Sequence, residues 1–115
     1  MSDLTFAPVT EAEFEPLLAL RIAVLRDDLE RLGRFDPARA RARFRAGYDP
    51  ASLRLILRGG ACIGCVALRP AADALWLEHF YLEPAWQGRG IGGAVLRRLL
   101  DEADAAGRPV RLGVL

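Results

Sequence analysis

The stretch that most constrains this chain is Glu83-Pro84-Ala85-Trp86-Gln87-Gly88-Arg89-Gly90-Ile91-Gly92, set between two different periodicities. Before it, Leu75 to Leu82 is apolar and aromatic and has the length of a strand. After it, Ile91, Val95, Leu96, Leu99, Leu100 and Ala103 recur at the spacing of one helix face. A strand, a glycine-rich turn and a helix start in immediate succession make an anion-binding arrangement. Glycines let the backbone approach a ligand closely. The first N–H groups of a helix have no intrahelical partner, and the helix dipole puts partial positive charge at that end. Gln87 and Arg89 add side-chain donors to the same place.

Three readings of the loop compete. A dinucleotide-binding turn needs G-x-G-x-x-G directly after a strand and an acid about 20 residues on, whereas here the glycines are Gly88, Gly90, Gly92 and Gly93. A Walker loop needs a lysine, and all 16 basic residues of this chain are arginine. The third reading is a resemblance. Gln87-Gly88-Arg89-Gly90-Ile91-Gly92 resembles the Q/R-x-x-G-x-G/A signature of the GNAT N-acetyltransferase superfamily, which cradles the pyrophosphate of acetyl-CoA. Tyr81-Leu82-Glu83-Pro84 before it and the long helix after it are similar to that family as well. Strand, proline, loop and helix in this order favour the resemblance over a glycine-rich turn without a ligand.

With 115 residues, of which 52% are hydrophobic, the chain suits one domain, residues 1–115, with a core of its own. A net charge of +1 gives no general pull toward nucleic acid or membrane. No run of 18 apolar residues predicts a membrane span, and Met1-Ser2-Asp3-Leu4 does not read as a secretory signal. A cytoplasmic protein is the expectation. Cys62 and Cys65 form a C-x-x-C spacing, which as a zinc site would want further ligands where one histidine remains. As a redox pair it would want a helix N-terminus. We read the two as small apolar residues of a strand and expect no metal.

Along the chain, Leu4 to Ala7 alternates as a first strand. Thr10 and Glu13 form a capping box, with Val9 and Phe14 placed as a hydrophobic staple. Leu18, Ile22, Leu25, Leu29 and Leu32 then mark one helix face, with Pro16 expected to kink or restart the helix and Gly33 to end it. Asp36-Pro37 opens a second helix that Gly47 closes. Its Arg39, Arg41, Arg43 and Arg45 read as a solvated face partly neutralised by Asp27, Asp28 and Glu30, ahead of a nucleic-acid contact. Ser52–Arg58 and Ala61–Arg69 are strands joined by a Gly59-Gly60 hairpin turn, with Gly64 marking a bulge. Leu75–Leu82 is the fourth strand. The helix after the loop runs to Ala106, with Arg97 and Arg98 expected to pair with acids three to four residues on. Gly107 and Pro109 stop it. Val110 to Leu115 starts a fifth strand.

The order β-α-α-β-β-β-α-β is an α/β (α+β) arrangement with a mixed central sheet flanked by helices. It is similar to the first two-thirds of the GNAT pattern, lacking the final helix, which often carries an acid tyrosine, and the final hairpin. The fifth strand is then expected to be an exposed edge at Val110, Leu112, Val114 and Leu115, and a homo-oligomer, most simply a dimer, follows. The resemblance implies an acetyl-CoA-dependent N-acetyltransferase acting on a primary amine of a small molecule or protein. The competing reading is a catalytically silent CoA-binding domain that acts through oligomerisation. As general base the fourth strand offers Glu78 and His79. Strand alternation predicts that at most one of them faces the acceptor. The resemblance further implies that Phe80, Tyr81 and Leu82 bind pantetheine and polarise the thioester, and that Gln87, Gly88, Arg89, Gly90, Ile91 and Gly92 hold the diphosphate. Helices one and two would wall the acceptor side, so their arginines would face an acidic acceptor.

Overall fold

The capping box forms as its residue types require. The Thr10 hydroxyl accepts from the Ala12 N–H at 3.2 Å, and the Glu13 carboxylate accepts from the Thr10 N–H at 2.5 Å. A short 3-10 turn, Glu11–Glu13, leads into helix α1, Phe14–Arg31. Pro16 sits in the first turn of α1, where its missing N–H has no partner to lose, so the helix runs on from it without a restart. These elements belong to a computed structural model that describes residues 3–33 and 35–112. The expectations for Val114 and Leu115 lie outside the described residues.

The remaining elements are strand β1 (Leu4–Pro8), helix α2 (Pro37–Gly47), strands β2 (Leu53–Arg58), β3 (Ala61–Pro70) and β4 (Leu75–Leu82), helix α3 (Ile91–Ala106) and strand β5 (Val110–Leu112). They form a five-stranded sheet in the order β1-β2-β3-β4-β5. The first four strands pair antiparallel, and β5 pairs parallel to β4 through the crossover helix α3. This is the mixed sheet anticipated from the sequence. One core lies between the sheet and α1/α2 and contains Phe14, Leu17, Leu20, Phe44, Cys65 and Tyr81. A second lies between the sheet and α3 and contains Ile56, Ile63, Val66, Leu77, Val95 and Leu99.

Some apolar positions depart from the periodic reading. Leu32 follows the last residue of α1 and is 67% exposed, and Leu100 on α3 is 43% exposed. On α1 the enclosed side chains are Phe14, Leu17, Leu18, Leu20 and Arg21. On α3, Glu102 reaches across to the sheet. It receives both Nη atoms of Arg54, at 2.7 and 3.0 Å, and so ties α3 to β2.

Two irregularities shape the middle of the sheet. On β3 the ladder to β2 slips by one residue, with Gly64 opposite Ile56 and Cys62 opposite Leu57. On β4 the ladder to β3 also slips, since Cys65 faces Tyr81 while Ala67 faces Glu78. The extra residue there includes His79, whose φ of +50° is the one positive value outside glycine among the described residues. Gly64 allows the two strands to meet beside that slip, because a Cβ at Gly64 would stand 2.2 Å from the Tyr81 carbonyl oxygen. Gly64→Ala will therefore push β4 away at Tyr81 and cost about 2 kcal/mol, as overpacking of a buried site does. Urea denaturation measures this. A loss under about 0.5 kcal/mol would mean that the strands are not this close.

Candidate active site

The slip in β4 overrides the alternation expected for Glu78 and His79. Leu77, Phe80 and Leu82 pack in or against the core on the α3 side, while Tyr81 belongs to the core under α1/α2. With one residue added to the strand, Glu78 and His79 both open on the α1/α2 side. They line one cavity of about 290 Å³ with Gly47, Tyr48, Ser52 and Arg69. The reading that at most one of the pair faces this side fails for that reason.

The two residues are held differently. The Glu78 carboxylate accepts from Arg69 Nε at 2.6 Å, so it is ion-paired within the sheet. The His79 imidazole stands edge-on to Phe44, with ring centroids 6.0 Å apart, and lies 6.4 Å from the Tyr81 ring. Burial lowers its proton affinity below the ordinary histidine value, the Arg21 charge lowers it further, and Glu78 opposes both. Burial and the Arg21 charge thus favour the neutral ring. Gly47 ends α2 directly against it, and a Cβ there would be 3.2 Å from His79 Nε2.

Tyr48 on the cavity wall donates its hydroxyl to the Thr10 carbonyl at 2.6 Å, fastening the end of α2 to the start of α1. On the neighbouring strand β3, the buried Cys65 thiol donates to the His79 carbonyl at 3.4 Å, and burial pushes its pKa up to about 12. Cys62 is exposed, and both cysteines are free. Among the described residues no group of three or more histidine, cysteine or acidic side chains could hold a metal.

At the other end of β4 the glycine-rich loop is built as its sequence suggests. Gly88 and Gly90 have φ of +74° and +77°, values that disfavour any side chain. The Gln87 amide donates to the Leu82 carbonyl at 3.0 Å and fixes the loop to the strand end. The first backbone bond of α3 is from Ala94 N–H to the Gly90 carbonyl, so the N–H groups of Ile91, Gly92 and Gly93 precede it. A Cβ at Gly88, Gly90 or Gly93 would meet nothing within 4 Å. The loop lies on the open surface and lines neither the cavity at His79 nor the larger one described below. Arg89 and Arg58 flank the Trp86 ring at 5.3 and 5.4 Å, which places two guanidinium groups around the loop.

Phe80, Tyr81 and Leu82 join the two ends. Among the described residues the ladder from β4 to β5 covers Leu75 to Leu77, so the same edge of β4 from Glu78 to Leu82 has no described strand beside it. The predicted site residues thus fall along one strand and its following loop.

The arginines of α2 do not form a single solvated face. Arg41 pairs with Glu15, and Arg45 pairs with Glu11 at 2.8 Å. Their partners are on α1 and its leading turn, not Asp27, Asp28 or Glu30. Arg39 and Arg43 line a cavity of about 940 Å³ between α1 and α2, together with Arg21. Arg21 was not singled out in the sequence. Its place one residue before Ile22 puts it beside the apolar face, and only the packing of Phe44 and Tyr81 encloses it.

Comparison with known proteins agrees with the fold. The profile of the acetyltransferase (GNAT) family matches residues 20–114. No curated protein sequence matches the chain. Among solved structures, the PaiA N-acetyltransferase of Thermoplasma acidophilum, in complex with coenzyme A, is 17% identical with a TM-score of 0.71, over 99% of this chain and 80% of that one. A GNAT family acetyltransferase of Brucella melitensis, in complex with acetyl-CoA, is 19% identical with a TM-score of 0.64, over 100% of this chain and 79% of that one. A putative acetyltransferase from Pyrococcus horikoshii is 18% identical with a TM-score of 0.67, over 91% of this chain, and the chain spans 36% of its length. At these identities the structures establish the fold, while the profile covers most of the sequence. The chain belongs to the GNAT acetyltransferase family.

Proposed function

We propose that residues 1–115 form one acetyl-CoA-dependent N-acetyltransferase domain, which moves an acetyl group from acetyl-CoA to a primary amine. The observation that carries this is the unblocked row of amides after β4, from Gly88 to Gly93, at a helix start flanked by Arg58 and Arg89. Gln87 to Gly92 would hold the diphosphate, and the open edge of β4 at Phe80, Tyr81 and Leu82 would take the pantetheine arm. The complexes of the Thermoplasma acidophilum and Brucella melitensis proteins with coenzyme A and acetyl-CoA support the same cosubstrate.

In the transfer, the amine nitrogen attacks the thioester carbonyl carbon, a C–N bond forms and the C–S bond breaks. The amine proton passes to a base, and the coenzyme leaves as a thiolate that is protonated to the free thiol. His79 suits the base, since its surroundings favour the neutral ring and it opens on a cavity. Glu78, paired with Arg69, supports it as a fixed negative charge at its side.

Two outcomes test this reading. Calorimetry will detect coenzyme A binding, and Gly90→Val will weaken it at least about tenfold, since a branched side chain at φ of +77° twists the amides away and costs about 1–3 kcal/mol in backbone strain. Undiminished affinity in that variant would refute the diphosphate assignment. Coenzyme A binding without thiol release across an amine panel would leave a silent CoA-binding domain.

His79→Gln will lower kcat by about 10²–10⁴ with coenzyme A affinity unchanged. In the parent chain the acid limb of kcat/KM will lie below the ordinary histidine value of about 6.5. The same depression has a stability consequence. As pH falls from about 6.5 through the folded-state value of His79, the unfolded chain binds more protons, so stability is lost. His79 is the chain's one histidine, so thermal denaturation across this range will show a loss that His79→Gln lacks.

A further inference from the structure

The larger cavity, between α1 and α2, has an unusual floor. Arg21 is 6% exposed, and its guanidinium lies over the Phe44 and Tyr81 rings at 5.7 and 5.9 Å. Among the described residues it has no carboxylate partner and no hydrogen bond. No fully enclosed side-chain nitrogen or oxygen among the described residues lacks a partner. Arg21 is among the residues that line the cavity. A guanidinium withdrawn this far from solvent, without an anion, is costly unless a ligand completes it.

The charges around it favour an anion. Arg39 and Arg43 line the same cavity without an acid partner among the described residues. The two carboxylates that face it are already engaged. Asp28 accepts from Arg31 at 2.5 Å, and Asp36 caps α2 through the N–H groups of Ala38 and Arg39. One wall is apolar and consists of Ile22, Leu25 and Leu29. Arg21 and His79 approach the same two rings, Phe44 and Tyr81, at about 6 Å. The Arg21 charge is felt at the His79 ring, while the two residues line separate cavities.

Resting on the transferase reading above, we infer that the acceptor is a small amine with a carboxylate next to its amino group and an apolar remainder. Its carboxylate pairs with Arg21, its amine is directed toward β4, and its apolar part lies along Ile22, Leu25 and Leu29. An α-amino acid with an apolar side chain has this chemistry. Arg39 and Arg43 draw the anion in from the rim. The transfer is the one already written, with the amino acid's nitrogen as nucleophile and the N-acetyl amino acid and coenzyme A thiol as products.

The test compares thiol release from acetyl-CoA with L-leucine, L-methionine and L-phenylalanine against their carboxamides. We expect kcat/KM to favour the acids at least about tenfold, the scale of a charge-assisted pair. Arg21→Met will bring the ratio of acid to amide near one, and Arg21→Lys will keep part of it. Arg21 is buried, so Arg39→Gln/Arg43→Gln, at exposed positions, provides a second variant, in which the ratio falls severalfold. Amides or polyamines used as well as the acids, or a ratio that none of these variants changes, would overturn the inference and leave the transferase reading standing. If no amine is acetylated, binding of N-acetyl-L-leucine against N-acetyl-L-leucinamide to the coenzyme A-loaded protein decides the matter. A tenfold preference for the acid sustains the inference without the transfer, and equal or undetectable binding overturns it.

Discussion

The extra residue in β4 is the constraint on which the rest of the site depends. A regular strand would send Glu78 and His79 to opposite faces. The slip between Cys65 and Ala67 on the partner strand turns both toward α1/α2 while Phe80 and Leu82 stay under α3. It requires a left-handed backbone at His79, which histidine tolerates better than a branched side chain. Around it the structure is overdetermined. Gly64 admits the Tyr81 carbonyl, the Cys65 thiol meets the His79 carbonyl, and Gly47 leaves room for the imidazole. Strain at this strand is thus offset by contacts from two other places in the chain, β3 and the end of α2.

Much of this was legible in the residues. The capping box at Thr10, the Asp36-Pro37 helix start and the glycine stops carry local chemistry that tertiary packing does not alter. The loop from Gln87 to Gly92 is equally local, because its glycines, its strand and its helix are contiguous. The β4 slip was not legible. The polar pair Glu78-His79 breaks the apolar run of Leu75 to Leu82 but does not mark an added residue, which is defined only by the pairing of β4 with β3. Gly64 was read as a bulge in its own strand, which it accompanies. Its closer bearing on Tyr81 is a long-range contact.

The arginines of α2 illustrate a second limit. Their alternation in sequence suggested one charged surface. On the helix they separate, with Arg41 and Arg45 pairing to the leading segment and first turn of α1, while Arg39 and Arg43 turn into the groove. Arg21 escaped notice because a single basic residue beside a leucine face ordinarily lies at the edge of the helix, with its charge in solvent. Here Phe44 from α2 and Tyr81 from β4 both lie against it. Helix periodicity finds which side of α1 is apolar but not which neighbour arrives to cover its margin.

The two cysteines, three residues apart, have opposite chemical character. Both thiols donate to backbone carbonyls, but Cys65 is enclosed and hard to ionise, whereas Cys62 is exposed near the start of β3. Alkylating or oxidising reagents will therefore distinguish them sharply in the folded chain. Cys62 offers a place for a fluorophore or spin label that leaves the interior untouched, and delayed modification of Cys65 would time the opening of the β3–β4 seam.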